Sequence, residues 1–170
     1  KTIKDNLHNF VLPGLGQDFV PQGFAETSDS FVVTAYYNKY GSSTTKNSKL
    51  YLISKSTGKV TRAVALDTTG HVGGVAASSS SVYVCVGSAV GEIAISTIKN
   101  AKDEAKVAFK KKYSTLTTCS FASYYKDRLY VGSFDETSKQ TVHSYTIKNG
   151  TISGGNNTGN GGGICTKIQV

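Results

Sequence analysis

The residues able to do chemistry are few, and they stand at matched places in the chain. His71 follows Gly70 and opens His71-Val72-Gly73-Gly74-Val75-Ala76. Gln22 lies in Val20-Pro21-Gln22-Gly23-Phe24-Ala25, and Ser120 in Cys119-Ser120-Phe121-Ala122. An imidazole titrates near neutral pH and acts as a general base when an acidic neighbour orients it. Asp67 is close to His71 in sequence, but nothing in the spacing brings the two side chains together. His71 therefore reads either as a ligand-site residue or as a structural histidine with its hydrogen bonds satisfied. A carboxamide and a hydroxyl both donate and accept hydrogen bonds. Gln22, His71 and Ser120 are the candidate ligand-binding set, and no catalytic residue or metal ligand is assigned. His8 has no partner nearby, and His143 in an alternating segment reads as a surface or inter-blade residue.

Other chemistries lack their residues. No GxSxG, HExxH or Walker-type motif occurs, and Gly161-Gly162-Gly163 lacks the strand-to-helix setting of a phosphate loop. Calcium takes several oxygen ligands, and no carboxylate stands beside Gln22, His71 or Ser120 at the equivalent points. The chain has no Trp, which gives no support to a quinone-cofactor site, and no cofactor is expected. Cys85, Cys119 and Cys165 form no CxxC or zinc-ligand spacing. Cys85 sits mid-strand, where a thiol behaves as a small hydrophobe. Cys119 opens an inner strand, and Cys165 precedes the next one. A disulfide between them is open if their Cα atoms come within about 7 Å.

The elements that position these residues come from one repeated phrase. Gly23-Phe24-Ala25 leads to Phe31-Val32-Val33-Thr34-Ala35-Tyr36-Tyr37, and Gly74-Val75-Ala76 leads to Val82-Tyr83-Val84-Cys85-Val86. Phe121-Ala122 leads to Arg128-Leu129-Tyr130-Val131-Gly132, and Lys167-Ile168-Gln169-Val170 begins the phrase again. A period of about 50 residues carrying several short strands is the pattern of a β-propeller blade. Each blade buries its faces only by stacking on its neighbours. The fold class is all-β, with about three four-stranded antiparallel blades in an incomplete ring. The boundaries are 1–19 as lead-in, 20–68, 69–117 and 118–158 as blades, and 159–170 as a Gly/Asn-rich loop and the start of a fourth.

Within blade two, Glu92 to Ser96 reads as the third strand, Thr97 to Glu104 as one helical turn, and Val107 to Tyr113 as the outer strand. Lys110-Lys111-Lys112 would protect that edge, as lysines do on edge strands. In blade three, Thr151-Ile152-Ser153 begins the outer strand, and Gly154 to Gly163 reads as a flexible loop. Leu7, Phe10, Val11 and Leu12 are expected to pack against the domain.

Composition agrees. The 170 residues are 38% apolar, enough for a packed core, and rich in Val, Ile, Thr, Tyr and Phe rather than in helix formers. The net charge of +8 is mostly dispersed Lys. It suits an anionic glycan or surface or simply a solvated face, and no nucleic-acid motif accompanies it. No apolar stretch reaches the roughly 20 residues of a membrane span. The absent initiator Met suggests a processed or trimmed start. Asn149-Gly150-Thr151 and Asn156-Asn157-Thr158 match the glycosylation sequon. Tyr36, Tyr37, Tyr40, Tyr124 and Tyr125 read as inter-blade packing, or as surfaces for sugars or a partner protein.

On Val20-Pro21-Gln22-Gly23, Ser56-Thr57-Gly58-Lys59 and Gly70-His71-Val72-Gly73-Gly74-Val75-Ala76, residues 10–170 resemble secreted bacterial β-propeller proteins of the YVTN or quinoprotein-like type. The resemblance implies a longer protein with more blades, of which this chain is the N-terminal half. A closed ring needs at least four blades, so three leave two apolar sheet faces uncovered. The expected partners are the remaining half, as a second chain or segment, or a second copy of this chain, with a glycan or protein as ligand. The expected function is a secreted or cell-surface, non-enzymatic binding or assembly module. The alternatives are a secreted hydrolase or lyase completed by missing blades, and a structural subunit of a larger assembly.

Overall fold

The computed structural model describes residues 11–39, 41, 45–148 and 150–157. These form three sheets in chain order. Sheet one holds β1 (Phe19–Glu26), β2 (Ser30–Tyr37), β3 (Lys49–Ser54) and β4 (Val60–Leu66). Sheet two holds β5 (Val75–Ala77), β6 (Ser81–Val86), β7 (Ala89–Ala94) and, after α1 (Ile95–Asn100) and β8 (Lys106–Val107), β9 (Lys111–Ser114). Sheet three holds β10 (Phe121–Tyr125), β11 (Arg128–Gly132), β12 (Val142–Lys148) and β13 (Thr151–Asn157). These four strands of each sheet pair antiparallel in sequence order. The first strands β1, β5 and β10 lie side by side. This is an open run of three propeller blades.

Strand alternation explains the layers. Along β2, Val32, Thr34 and Tyr36 face sheet two, while Val33, Ala35 and Tyr37 face away from it. One core joins sheets one and two through Val32, Leu50, Leu52, Val64, Val75, Val84 and Ile93. A second joins sheets two and three through Ala76, Tyr83, Cys85, Leu129, Val131 and Tyr145. Second strands sandwiched in this way are buried on both faces, so they read as continuous β-branched and aromatic runs.

Four strand-level expectations need correction. The third strand of blade two is β7, which begins before Glu92 at Ala89, and the helical turn begins at Ile95 rather than Thr97. Its outer segment is divided between two blades. β8 leaves sheet two and pairs parallel with β4 as a fifth strand of sheet one, and only β9 pairs with β7. Asp103 fixes this crossing, because its carboxylate accepts from the Ala63 N–H at 2.9 Å, and Val107 then buries its side chain in the first core. Lys111 and Lys112 do lie exposed on the β9 edge. In blade three the outer strand does not stop at Ser153 but runs to Asn157. Gly154 and Gly155 take φ of +100° and +90°, which only glycine adopts freely, and they absorb a bulge opposite Ser144 and Tyr145.

The cysteine pairing also differs. Cys85 is not a free thiol. It is disulfide-bonded to Cys119, with Cα atoms 5.1 Å apart, and Cys165 lies outside the described residues. Cys85 on β6 faces sheet three, so its sulfur reaches the residue just ahead of β10. The outer face of sheet one is not bare either. Leu12 packs on it, Gly14 approaches Phe19 and Tyr51, and Val11 points to solvent, while Leu7 and Phe10 fall outside the described residues.

That face contains a buried hydroxyl, Tyr51 Oη, with no hydrogen-bond partner among the described residues. Burial, with the Glu104 carboxylate adding to it, pushes its pKa up to about 12. Folding therefore holds Tyr51 protonated. The stability this contributes is complete below the ordinary value of 10.0 and is lost as pH rises through about 12. Tyr51→Phe removes the unpaired hydroxyl and is expected to raise stability by about 1 kcal/mol. It should also flatten the alkaline limb of a pH–stability curve in denaturant melts. A variant less stable than the parent would contradict this reading.

Candidate functional site

The candidate site is built on residues 67–74, which join β4 to β5. Its backbone is tied down from sheet one. Asn47 Nδ2 donates to Leu66 O at 2.5 Å, Ser48 N to Thr68 O at 2.8 Å, and Ser48 Oγ to Gly70 O at 2.5 Å. Thr34 Oγ1 donates to Val72 O at 2.8 Å inside the core. Val72 has a φ of +42° although it is β-branched, a left-handed conformation such residues rarely take. The Val72 side chain is 2% exposed in the core between sheets one and two, and its carbonyl is held by Thr34. Packing and hydrogen bonding together keep the strain in place, an arrangement that clusters at functional sites.

Two of the three expected ligand-binding residues meet at this loop. Gln22 lies at a bulge between Pro21 and Gly23 and is exposed. A Cβ placed on Gly73 would stand 3.1 Å from Ser120 O and 3.3 Å from Gln22 Oε1. Gln22, Gly73 and Ser120, one from each blade's inner segment, therefore close on one point. Ser120 contributes its carbonyl oxygen there rather than its hydroxyl. His71 goes elsewhere: its exposed ring stacks on Tyr36, with centroids 4.2 Å apart and planes at 28°. Asp67 pairs with Lys106 at 2.6 Å, which holds its carboxyl below the usual range. It does not serve as an orienter for His71.

The other residues singled out take structural places. His143, half-buried on β12, has Nδ1 3.1 Å from Gly155 O within sheet three. Tyr36 and Tyr37 are buried, and Tyr124 stacks on Tyr83 across the junction of sheets two and three. Only Tyr125 among the described tyrosines of those pairs is largely exposed. Tyr40 is outside the described residues. Among the described residues no group of three His, Cys, Asp or Glu gathers to hold a metal ion. No helix among them is long and apolar enough to cross a membrane.

Sequence reasoning missed Thr34 and the left-handed backbone of Val72. Thr34 offered one signal, a hydroxyl inside the apolar run of β2. Val72 offered none, because a backbone angle leaves no mark on residue type. A cleft of about 350 Å³ lies at the opposite end of the sheets from this site, where the turns joining β1–β2 and β3–β4 meet α1. Its Lys99 is already neutralised by Asp29 at 2.6 Å.

No protein-family model matches the chain, and no curated protein matches it. Among solved structures it is similar to a WD40 β-propeller domain of Doa1, with a TM-score of 0.50 and 10% identity over 79% of this chain. It spans 40% of the length of that chain. A hydrazine synthase of Kuenenia stuttgartiensis gives a TM-score of 0.41 and 14% identity, covering 86% of this chain and 50% of that one. The first likeness agrees with the sheets described above: the fold is β-propeller, with three blades and the ring not closed.

Proposed function

We propose that the chain is a binding or assembly module of a secreted bacterial propeller of the YVTN or quinoprotein-like type, acting outside the cell without catalysis. Residues 20–68, 69–117 and 118–158 are its repeating units. The observation that carries the reading is the open ring, whose three inner segments close on Gly73 while no further blade stacks on sheet three among the described residues. Further blades complete the ring, and the Gln22–Gly73–Ser120 cluster lies where the inner segments meet, with the His71 ring stacked on Tyr36 apart from it. A carboxamide and a carbonyl held at one point suit a polyhydroxylated ligand, and the Cys85–Cys119 disulfide supports an oxidising, extracellular compartment. The hydrolase or lyase reading gains no support, because His71 rests on Tyr36 and Asp67 on Lys106.

An array of neutral and acidic oligosaccharides tests the binding arm. Retention of one class is expected, falling about tenfold in Gln22→Ala, the scale of one lost polar contact. Ser120→Ala should leave retention unchanged, because only the Ser120 backbone faces the cluster. Equal retention by all variants, or none by the parent, would overturn the glycan assignment.

A further inference from the structure

The cleft at the far end of the sheets from Gly73 holds a cation that no carboxylate among the described residues neutralises. Arg62, half-buried on β4, lines it. One N–H on Nη2 donates to Lys99 O at 3.1 Å. Arg62 Nε is buried with no hydrogen-bond partner among the described residues. None of the ion pairs among them includes Arg62. A guanidinium stays charged in a protein and presents five N–H donors in a fixed fork. Taking such a group partly out of water is costly unless it is paired, and a buried donor left unmatched adds to that cost. The other charges of the cleft are matched. Lys99 Nζ sits 2.6 Å from Asp29 Oδ2, and Asp29 Oδ1 accepts from Ser30 Oγ at 2.8 Å.

The hydroxyls of the cleft add a second unspent donor. Ser54 Oγ and Ser56 Oγ both line it and lie 2.9 Å apart. Two hydroxyls carry two protons, and the bond between them uses one. Ser54 Oγ also accepts from the Thr57 N–H at 3.3 Å. One O–H is therefore left to donate, whichever way the pair is turned. Thr61 supplies no such donor, because its hydroxyl is given to Leu52 O at 3.3 Å. The lining thus has donors to spare, and its two cations, Arg62 and Lys99, face one carboxylate, Asp29. A guanidinium fork matches the paired acceptor oxygens of a phosphate or carboxylate group. A volume of about 350 Å³, with apolar Leu52 in its wall, takes such a group together with the body of a small molecule.

We propose that this cleft binds the oxyanion group of a small molecule, with Arg62 as its main contact and the Ser54–Ser56 pair as the second donor. The site is separate from the Gln22–Gly73–Ser120 cluster and does not depend on how the ring is completed. Isothermal titration calorimetry of the purified chain at constant ionic strength tests it, with inorganic phosphate, sulfate and acetate as probes in turn. At least one anion should bind with a Kd of about 1 mM or tighter. Tightest binding of phosphate or sulfate supports a tetrahedral ester as the natural group, and tightest binding of acetate supports a carboxylate. Arg62→Gln should weaken binding about tenfold, the scale of one lost charged contact. Asp29→Asn should tighten it roughly threefold, because the competing carboxylate is removed and Lys99 is freed. That gain cannot come from a misfolded chain. Lys112→Gln, on the exposed β9 edge, should leave binding unchanged. Binding of none of the three anions by the parent overturns the proposal, and so does weaker binding in Asp29→Asn. Equal weakening in Lys112→Gln and Arg62→Gln overturns it too, since it marks adsorption to the general +8 charge.

Discussion

Replacing Cys85 and Cys119 together with alanine is expected to lower stability by about 4 kcal/mol, the chain-entropy value for a cross-link of this span. The two residues are 34 apart in sequence, so the bond closes most of blade two onto the start of blade three. Both cysteines are buried, and the Cys85 sulfur lies against the β5 backbone at Gly74. The loss should be uneven. Sheet three is tied to sheet two through this bond, Tyr83–Tyr124 and the shared core. Hydrogen exchange over 121–157 should therefore accelerate before exchange in sheet one. Denaturant unfolding of the variant, and of the parent in reductant, reports the same loss. A drop under about 1 kcal/mol would contradict the stapling role, since native disulfides in small domains contribute more than that.

Gly74→Ala is the second large effect. A Cβ there would stand 2.6 Å from Cys85 Sγ, 2.7 Å from Ala122 N and 2.7 Å from the Phe121 carbonyl carbon. Two of these are backbone atoms of the neighbouring inner strand and the third belongs to the disulfide, so no side chain can swing aside. Overpacking costs about 1–3 kcal/mol when neighbours can adjust, and more when backbones must part. A loss of about 3 kcal/mol or more is expected, read from thermal or denaturant melts. Stability within about 0.5 kcal/mol of the parent, the range of an indifferent surface change, would show that blades two and three do not meet at Gly74.

The same glycine shows what the chain discloses and what it hides. The small residues of the inner strands and the doubly apolar β2 and β6 runs are written in residue type, so the propeller architecture was legible. Which residues meet across a junction was not. Cys85 looked like one more apolar residue of a buried strand, and its partner appeared only when β6 and the segment before β10 were placed side by side. β8 has only two residues, and its transfer to sheet one depends on a hydrogen bond from Ala63 to Asp103 forty positions later. The Gly154-Gly155 pair reads as a loop by composition, yet it serves as a bulge inside β13. At the candidate site, Gln22 and Ser120 stand at matched positions in the repeat, and the structure brings both beside Gly73. The matched positions could not show that Ser120 acts through its carbonyl or that His71 turns to Tyr36.

The central claim is that three blades form an open ring that another unit completes. Native mass spectrometry beside denaturing intact-mass analysis of the purified protein tests it most directly. The account predicts a non-covalent species heavier than 18.0 kDa that resolves into its components on denaturation. A folded species of 18.0 kDa alone, persisting across micromolar concentrations, would contradict it.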